Sequence, residues 1–169
     1  MRFPLLVAAV SLAACSPTLN WREIRVDATG LKARFPCKPD KGARSMPIAG
    51  RQIELQGLAC DAGGATFAIL NGDVVDPLRS GEVLTQWQRA TLANMRGAAA
   101  SEQAFVPTGA MALPPSLRVT ADGQRPDGRP VQSQAAYFAR GARVFQAVIY
   151  AERITPEAAE PFFSSLAFE

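Results

Sequence analysis

Two consecutive stretches, Val131 to Ala139 and Ala142 to Ala151, constrain the fold most. They are strand-length runs rich in β-branched and aromatic residues, joined by Arg140-Gly141, and they read as an antiparallel hairpin. Tyr137, Phe138, Val144, Phe145, Val148, Ile149 and Tyr150 place apolar groups at both odd and even positions. A strand that is apolar on both faces needs cover on both sides. The hairpin is therefore expected at the centre of a sheet, and the rest of the chain must supply the cover.

Taken in order, the other segments supply it. Trp21 to Val26 alternates apolar and charged residues, the pattern of a half-wet strand. Asp27 to Gly30 is a turn, after which Leu31, Ala33, Phe35 and Cys37 share one strand face. Pro36, Pro39, Gly42 and Pro47 mark the next stretch as a loop. A third strand is expected from about Arg51 to Cys60. Ile53 and Leu55 start it inward, but Cys60 has the opposite parity, so a bulge at Gly57 is expected to restore the phase. Asp61-Ala62-Gly63-Gly64 reads as a hairpin turn into a strand from Thr66 to Leu70. Asn71, Asp73 and Asp76 ahead of Pro77 fit Asx turns, because the glycine and distal glutamate of a calcium loop are missing.

Ser80 is the expected cap of a helix whose stripe is Leu84, Trp87, Thr91, Met95 and Ala98. That stripe reads as core. A short strand at Ala104-Phe105-Val106 and another over Leu117 to Ala121 follow. Thr155, Pro156 and Glu157 open a last helix that packs through Ala159, Phe162, Phe163 and Leu166, and Phe168 ties down the end. Strand runs broken by two helices predict an α+β fold, an antiparallel sheet packed by an amphipathic middle helix and a C-terminal helix.

Ahead of these segments stand Arg2, an apolar run from Phe3 to Val10, and Leu12-Ala13-Ala14-Cys15. A charged start, a short apolar segment and small residues read as an export signal. Leu-Ala-Ala-Cys resembles the lipobox of bacterial lipoproteins. The resemblance implies cleavage before Cys15 and acylation of that cysteine, which makes it the lipidation site. Residues 1–14 would then be the signal peptide, 15–20 the lipidated cysteine and a tether, and 21–169 one α+β domain. An ordinary signal with a chance cysteine, or a short apolar N-terminal element, is the alternative. Ser16 in place of aspartate implies, by resemblance to Gram-negative sorting, the outer membrane, with the domain facing the periplasm. The chain has three cysteines. With Cys15 acylated, Cys37 and Cys60 remain, and an oxidising compartment favours their disulfide over two separate buried thiols.

Ala33-Arg34-Phe35-Pro36 and Phe162-Phe163-Ser164-Ser165-Leu166-Ala167-Phe168, together with the order of elements, resemble the Mog1/PsbP-like fold of small exported or lipid-anchored proteins. That resemblance implies a binder or assembly factor and no active-site motif to carry over.

The residues themselves narrow the chemistry. The chain has no histidine, which removes Ser-His and Cys-His catalysis. Lys32, Lys38 and Lys41 stand in no Ser-x-x-Lys pattern, and there is no phosphate loop. No metal site and no cofactor are expected. A net charge of +3 with scattered positive residues argues against nucleic acid. Arg125, Arg129, Arg140 and Arg143 are the one basic concentration, read either as an anionic-partner patch or as solvated turn arginines. The expectation is a non-enzymatic envelope module, held in the membrane by its lipid and serving an envelope protein partner. The alternatives are a periplasmic carrier of a small apolar ligand, marked by a cavity at Leu84, Trp87 and Met95, and a hydrolase with an atypical site.

Overall fold

The computed structural model describes residues 18–169. The lipobox and Cys15 lie outside the described residues. In chain order the elements are β1 Arg22–Arg25, β2 Leu31–Phe35, β3 Asp40–Ile48, β4 Arg51–Ala62, β5 Ala65–Asp73, α1 Ser80–Asn94, β6 Ala98–Ala104, β7 Leu117–Gln124, β8 Pro130–Arg140, β9 Arg143–Ala151, α2 Pro156–Phe163 and β10 Ala167–Phe168. Among the described residues the fold is α+β, with antiparallel strand pairing and two α-helices. One sheet has seven strands in the order β3-β4-β5-β9-β8-β7-β6, and a small one has the order β1-β2-β10.

The expected hairpin is β8–β9, and it sits inside the large sheet with β5 and β7 as its neighbours. One of its faces contributes Phe138, Phe145, Ala147 and Ile149 to a core shared with Leu31, Ala33 and Phe35 of the small sheet and with Phe162 and Phe163 of α2. Its other face contributes Tyr137, Val144 and Val148 to a second core beneath Val83, Leu84 and Trp87 of α1. Aromatic rings carry much of the first core. Phe162 meets Phe35 edge-on at 5.4 Å and Phe67 at 5.5 Å, the geometry that ring quadrupoles favour. Phe168 pairs with Leu31 through β10 and also packs on Phe145, so the chain end is held as expected.

Cys37 and Cys60 form a disulfide with Cα atoms 6.1 Å apart. It links the segment after β2, in the small sheet, to β4, in the large one. No bulge at Gly57 is needed. Register runs unbroken through the strand, with Gly42 opposite Gly57 and Gly57 opposite Leu70. Ile53 and Leu55 face the α1 core, whereas Leu58 and Cys60 face the small sheet. β4 thus changes its covered side along its length, and the change of parity records that.

Four other expectations are corrected. The stretch with Gly42 and Pro47 is strand β3, not a loop. It is an edge strand, where a residue without an N–H is tolerated. Ala98 does not extend the helical stripe, because residues from Ala98 onward form β6, every residue of which is exposed. The strand expected at Ala104 to Val106 therefore ends at Ala104. Ser80 does not cap α1. Asp76 accepts from Leu78 N at 3.0 Å and caps a 3-10 turn, Pro77–Arg79, that leads into the helix. Ser80 is buried and donates to Gly141 O at 3.0 Å, pinning the helix start to the β8–β9 turn.

Phe162 is fully buried between the two sheets. Phe162→Ala is expected to cost about 3–5 kcal/mol in chemical denaturation. A loss below about 1 kcal/mol would mean the two layers are not held through this ring. Replacing Cys37 and Cys60 together by serine removes a link with a sequence separation of 23, and the chain-entropy model puts the loss at about 3.5 kcal/mol.

Candidate functional site

Helix α1 crosses one face of the large sheet and leaves part of it uncovered. Beside it lies an open groove of about 450 Å³ over β3, β4, β5 and β9. Strand alternation sets most of its lining. Gly42 and Arg44 come from β3, Leu55, Gly57 and Ala59 from β4, Ala68 and Leu70 from β5, and Gln146, Val148 and Tyr150 from β9. Gly42 and Gly57 are register partners, so the middle of the floor has no side chains. A Cβ at Gly57 would stand 2.6 Å from Leu70 Cδ2. The glycine lets the leucine lie across the neighbouring strand.

The groove borders a buried polar chain beneath α1. Gln146 Nε2 donates to Thr91 Oγ1 at 2.9 Å and to Tyr137 Oη at 3.0 Å. Thr91 Oγ1 donates in turn to Trp87 O at 3.0 Å. Burial pushes the Tyr137 phenol up to about 12, with the hydrogen bonds from Thr91 and Gln146 acting the other way. On the far side of the helix a smaller cavity of about 230 Å³ is lined by Thr91 and Tyr137 among others. The chain of hydroxyls and amide is therefore the partition between two openings. Leu84 and Trp87 are packed solid against the sheet, so the cavity expected at Leu84, Trp87 and Met95 does not form under the helix. The open space lies to its sides.

The four arginines do not converge. Arg125 and Arg129 stand at the β7–β8 turn, and Arg140 and Arg143 at the β8–β9 turn. The length of β8 separates them by on the order of 30 Å. Three of them are engaged locally. Arg129 Nε lies 2.7 Å from Asp127 Oδ2, and the backbone N–H of Arg129, then its guanidinium, hold the Asp127 carboxyl below the usual range. Arg140 donates to Glu169 O at 3.3 Å and stacks 4.9 Å over the Phe168 ring. Arg143 Nη1 donates to Asn71 Oδ1 at 2.8 Å.

The polar residues around Asp73 behave as turn formers. Asp73 Oδ1 accepts from Val75 N at 2.7 Å. Among the described residues no cluster of three or more metal-ligating side chains forms. No described helix is long and apolar enough to cross a membrane. Gln146, Tyr150, Arg44 and the Gly42–Gly57 pair were not singled out as site residues from the sequence. The available signal was Gln146, a polar residue at an inward position of an otherwise apolar strand.

No protein-family model matches the sequence, and no curated protein is significantly similar to it. Among solved structures the chain is similar to PA94 of Pseudomonas aeruginosa, a protein of unknown function. The match has 14% identity, covers 83% of this chain and 86% of that one, and has a TM-score of 0.39.

Tyr137→Phe is expected to cost about 1 kcal/mol, because Gln146 Nε2 keeps Thr91 as an acceptor. The raised phenol also sets an alkaline limit. Its contribution to stability is complete below pH 10 and is lost as pH climbs through about 12. The loss reaches about 3 kcal/mol at most. Denaturation followed from pH 8 to 12 should fall less steeply in the phenylalanine variant. Tyr150, also raised by burial, leaves a residual slope of the same sign. An unchanged slope would place Tyr137 in contact with water.

Proposed function

We propose that the chain is a lipid-anchored protein of the cell envelope, carried by an acylated Cys15 at the outer membrane and facing the periplasm. On this reading it is a non-enzymatic binding or assembly module related to the Mog1/PsbP-like proteins, and it works with an envelope protein partner. The observation that carries the reading is the Cys37–Cys60 disulfide. It uses two of the three cysteines, and the third is Cys15, the one in Leu12-Ala13-Ala14-Cys15. A disulfide of this kind persists in oxidising compartments, where an export signal would deliver the chain.

Chain direction also supports it. Asn20 N donates to Pro36 O at 2.8 Å, so the tether joins the body beside the disulfide-bearing segment. Acylation supplies roughly 0.8 kcal/mol per buried methylene, and more than one chain makes attachment stable without a spanning helix. A second reading, a carrier of a small ligand, is favoured by the groove beside α1. Its apolar floor and few polar groups are the usual make-up of a ligand site. A hydrolase has less support, since no described nucleophile is paired with a base.

Cys15→Ala is expected to abolish metabolic labelling with a fatty acid and to release the protein from membranes or leave it uncleaved. Labelling that persists in this variant would overturn the anchor. Affinity capture from native membranes should recover one envelope protein in stoichiometric amount.

A further inference from the structure

The groove beside α1 has a chemical asymmetry along its length. Its accessible floor is apolar, formed by Leu70 and Ala59 around the bare Gly42–Gly57 pair, with the buried Leu55 and Val148 at its margin. Gln146 adds no free donor, because both of its amide contacts go to Thr91 and Tyr137. One unpaired cation stands on the rim. Arg44 lies opposite Leu55, so its side chain leaves the sheet on the groove side. Arg44 is exposed and, among the described residues, has no ion-pair or hydrogen-bond partner. Its positive charge acts on the Tyr150 phenol across the groove, against the upward push of burial.

The other charges do not cancel it. Lys41 also lines the groove, but its ammonium is paired with Asp27. Asp40 lines the same groove, but four strand positions separate it from Arg44, about 13 Å. Negative charge is therefore confined to one end of the groove and an unpaired guanidinium to the other. A guanidinium over an apolar surface suits a carboxylate or phosphate head, to which it can donate two hydrogen bonds. A volume of about 450 Å³ falls in the range of small-ligand sites and is too small for a folded partner.

We propose that this groove binds a single-chain anionic amphiphile, its acidic head held by Arg44 and its hydrocarbon tail laid over the Gly42–Gly57 floor. The proposal rests on the reading of the domain as a binding module and names the ligand class for that role. Binding requires no covalent step and no movement of α1. Matched-tail neutral molecules lose the head contact, and matched-tail cations meet Arg44 with like charge.

The test uses the full chain bearing Cys15→Ser, so that no attached acyl group competes, in detergent-free buffer. Decanoate, decanol and decyltrimethylammonium are titrated in turn by calorimetry. Decanoate is expected to saturate one site and to bind at least ten-fold more tightly than decanol, with the cation not binding. Arg44→Ala should weaken decanoate at least ten-fold and leave decanol unchanged. Ala59→Phe should abolish both by filling the groove. Arg44 and Ala59 are both exposed, so unchanged circular dichroism and an intact disulfide will certify the fold of each variant. Equal binding of decanoate and decanol would overturn the proposal. So would an Arg44→Ala variant that holds decanoate as before, or an Ala59→Phe variant that still binds. The anchor is judged separately, by labelling of Cys15, so either reading can fail while the other stands.

Discussion

Cover on both faces of β5, β9 and β8 is the constraint on which the rest of the structure depends. Phe138 and Phe145 stack at 5.2 Å on one side of the hairpin, while Tyr137 and Val144 go under α1 on the other. A strand with apolar side chains on both faces cannot rest against water. The chain answers with two unlike covers. Helix α1 serves one face. The three-stranded sheet and α2 serve the other. The disulfide then fastens the second cover to the sheet it lies on. This division explains why two separate cores exist in a chain of ordinary size.

A helix is narrower than a seven-stranded sheet, and the site follows from that mismatch. Helix α1 packs on β8, β9 and one end of β3, and the Gly42–Gly57 stretch of β3 and β4 on the same face is left open. Small residues at Gly42, Gly57, Ala59 and Ala68 keep that bare area from becoming a large greasy surface. They also make it concave. At the helix edge, burial of Gln146 would be costly without partners. Thr91 and Tyr137 provide them, and no buried side-chain polar atom among the described residues lacks a partner.

Much of this was legible in the residues. The β8–β9 hairpin showed itself because its apolar content is continuous, and α2 because Thr155, Pro156 and the phenylalanines agree. The Gly63-Gly64 turn was equally plain, both glycines adopting positive φ, 59° and 74°. What escaped was decided at edges. β3 contains Gly42 and Pro47, which read as loop chemistry unless one knows that the strand has a free side. β6 is all small or polar, so it has no periodicity to detect. Cys60 seemed out of phase because a rule that assumes one buried face fails for a strand whose covered side changes. The arginines looked like neighbours because sequence distance was mistaken for spatial distance across an eleven-residue strand. The groove depends on four strands and on where a helix stops covering them, which no local pattern encodes.

The two margins of the large sheet are protected unequally. β3 carries Pro47 and the charged side chains of Asp40, Lys41 and Arg44, features that discourage a foreign strand from docking. β6 presents Ala98, Ala99 and Ala100 with Glu102 as its sole charge. Its chief safeguard is the register shift between Ala99 and Ser101, which twists the backbone away from a straight template. Self-association of crowded chains would therefore start at that margin, and straightening this irregularity would turn a solitary sheet into the seed of a fibril.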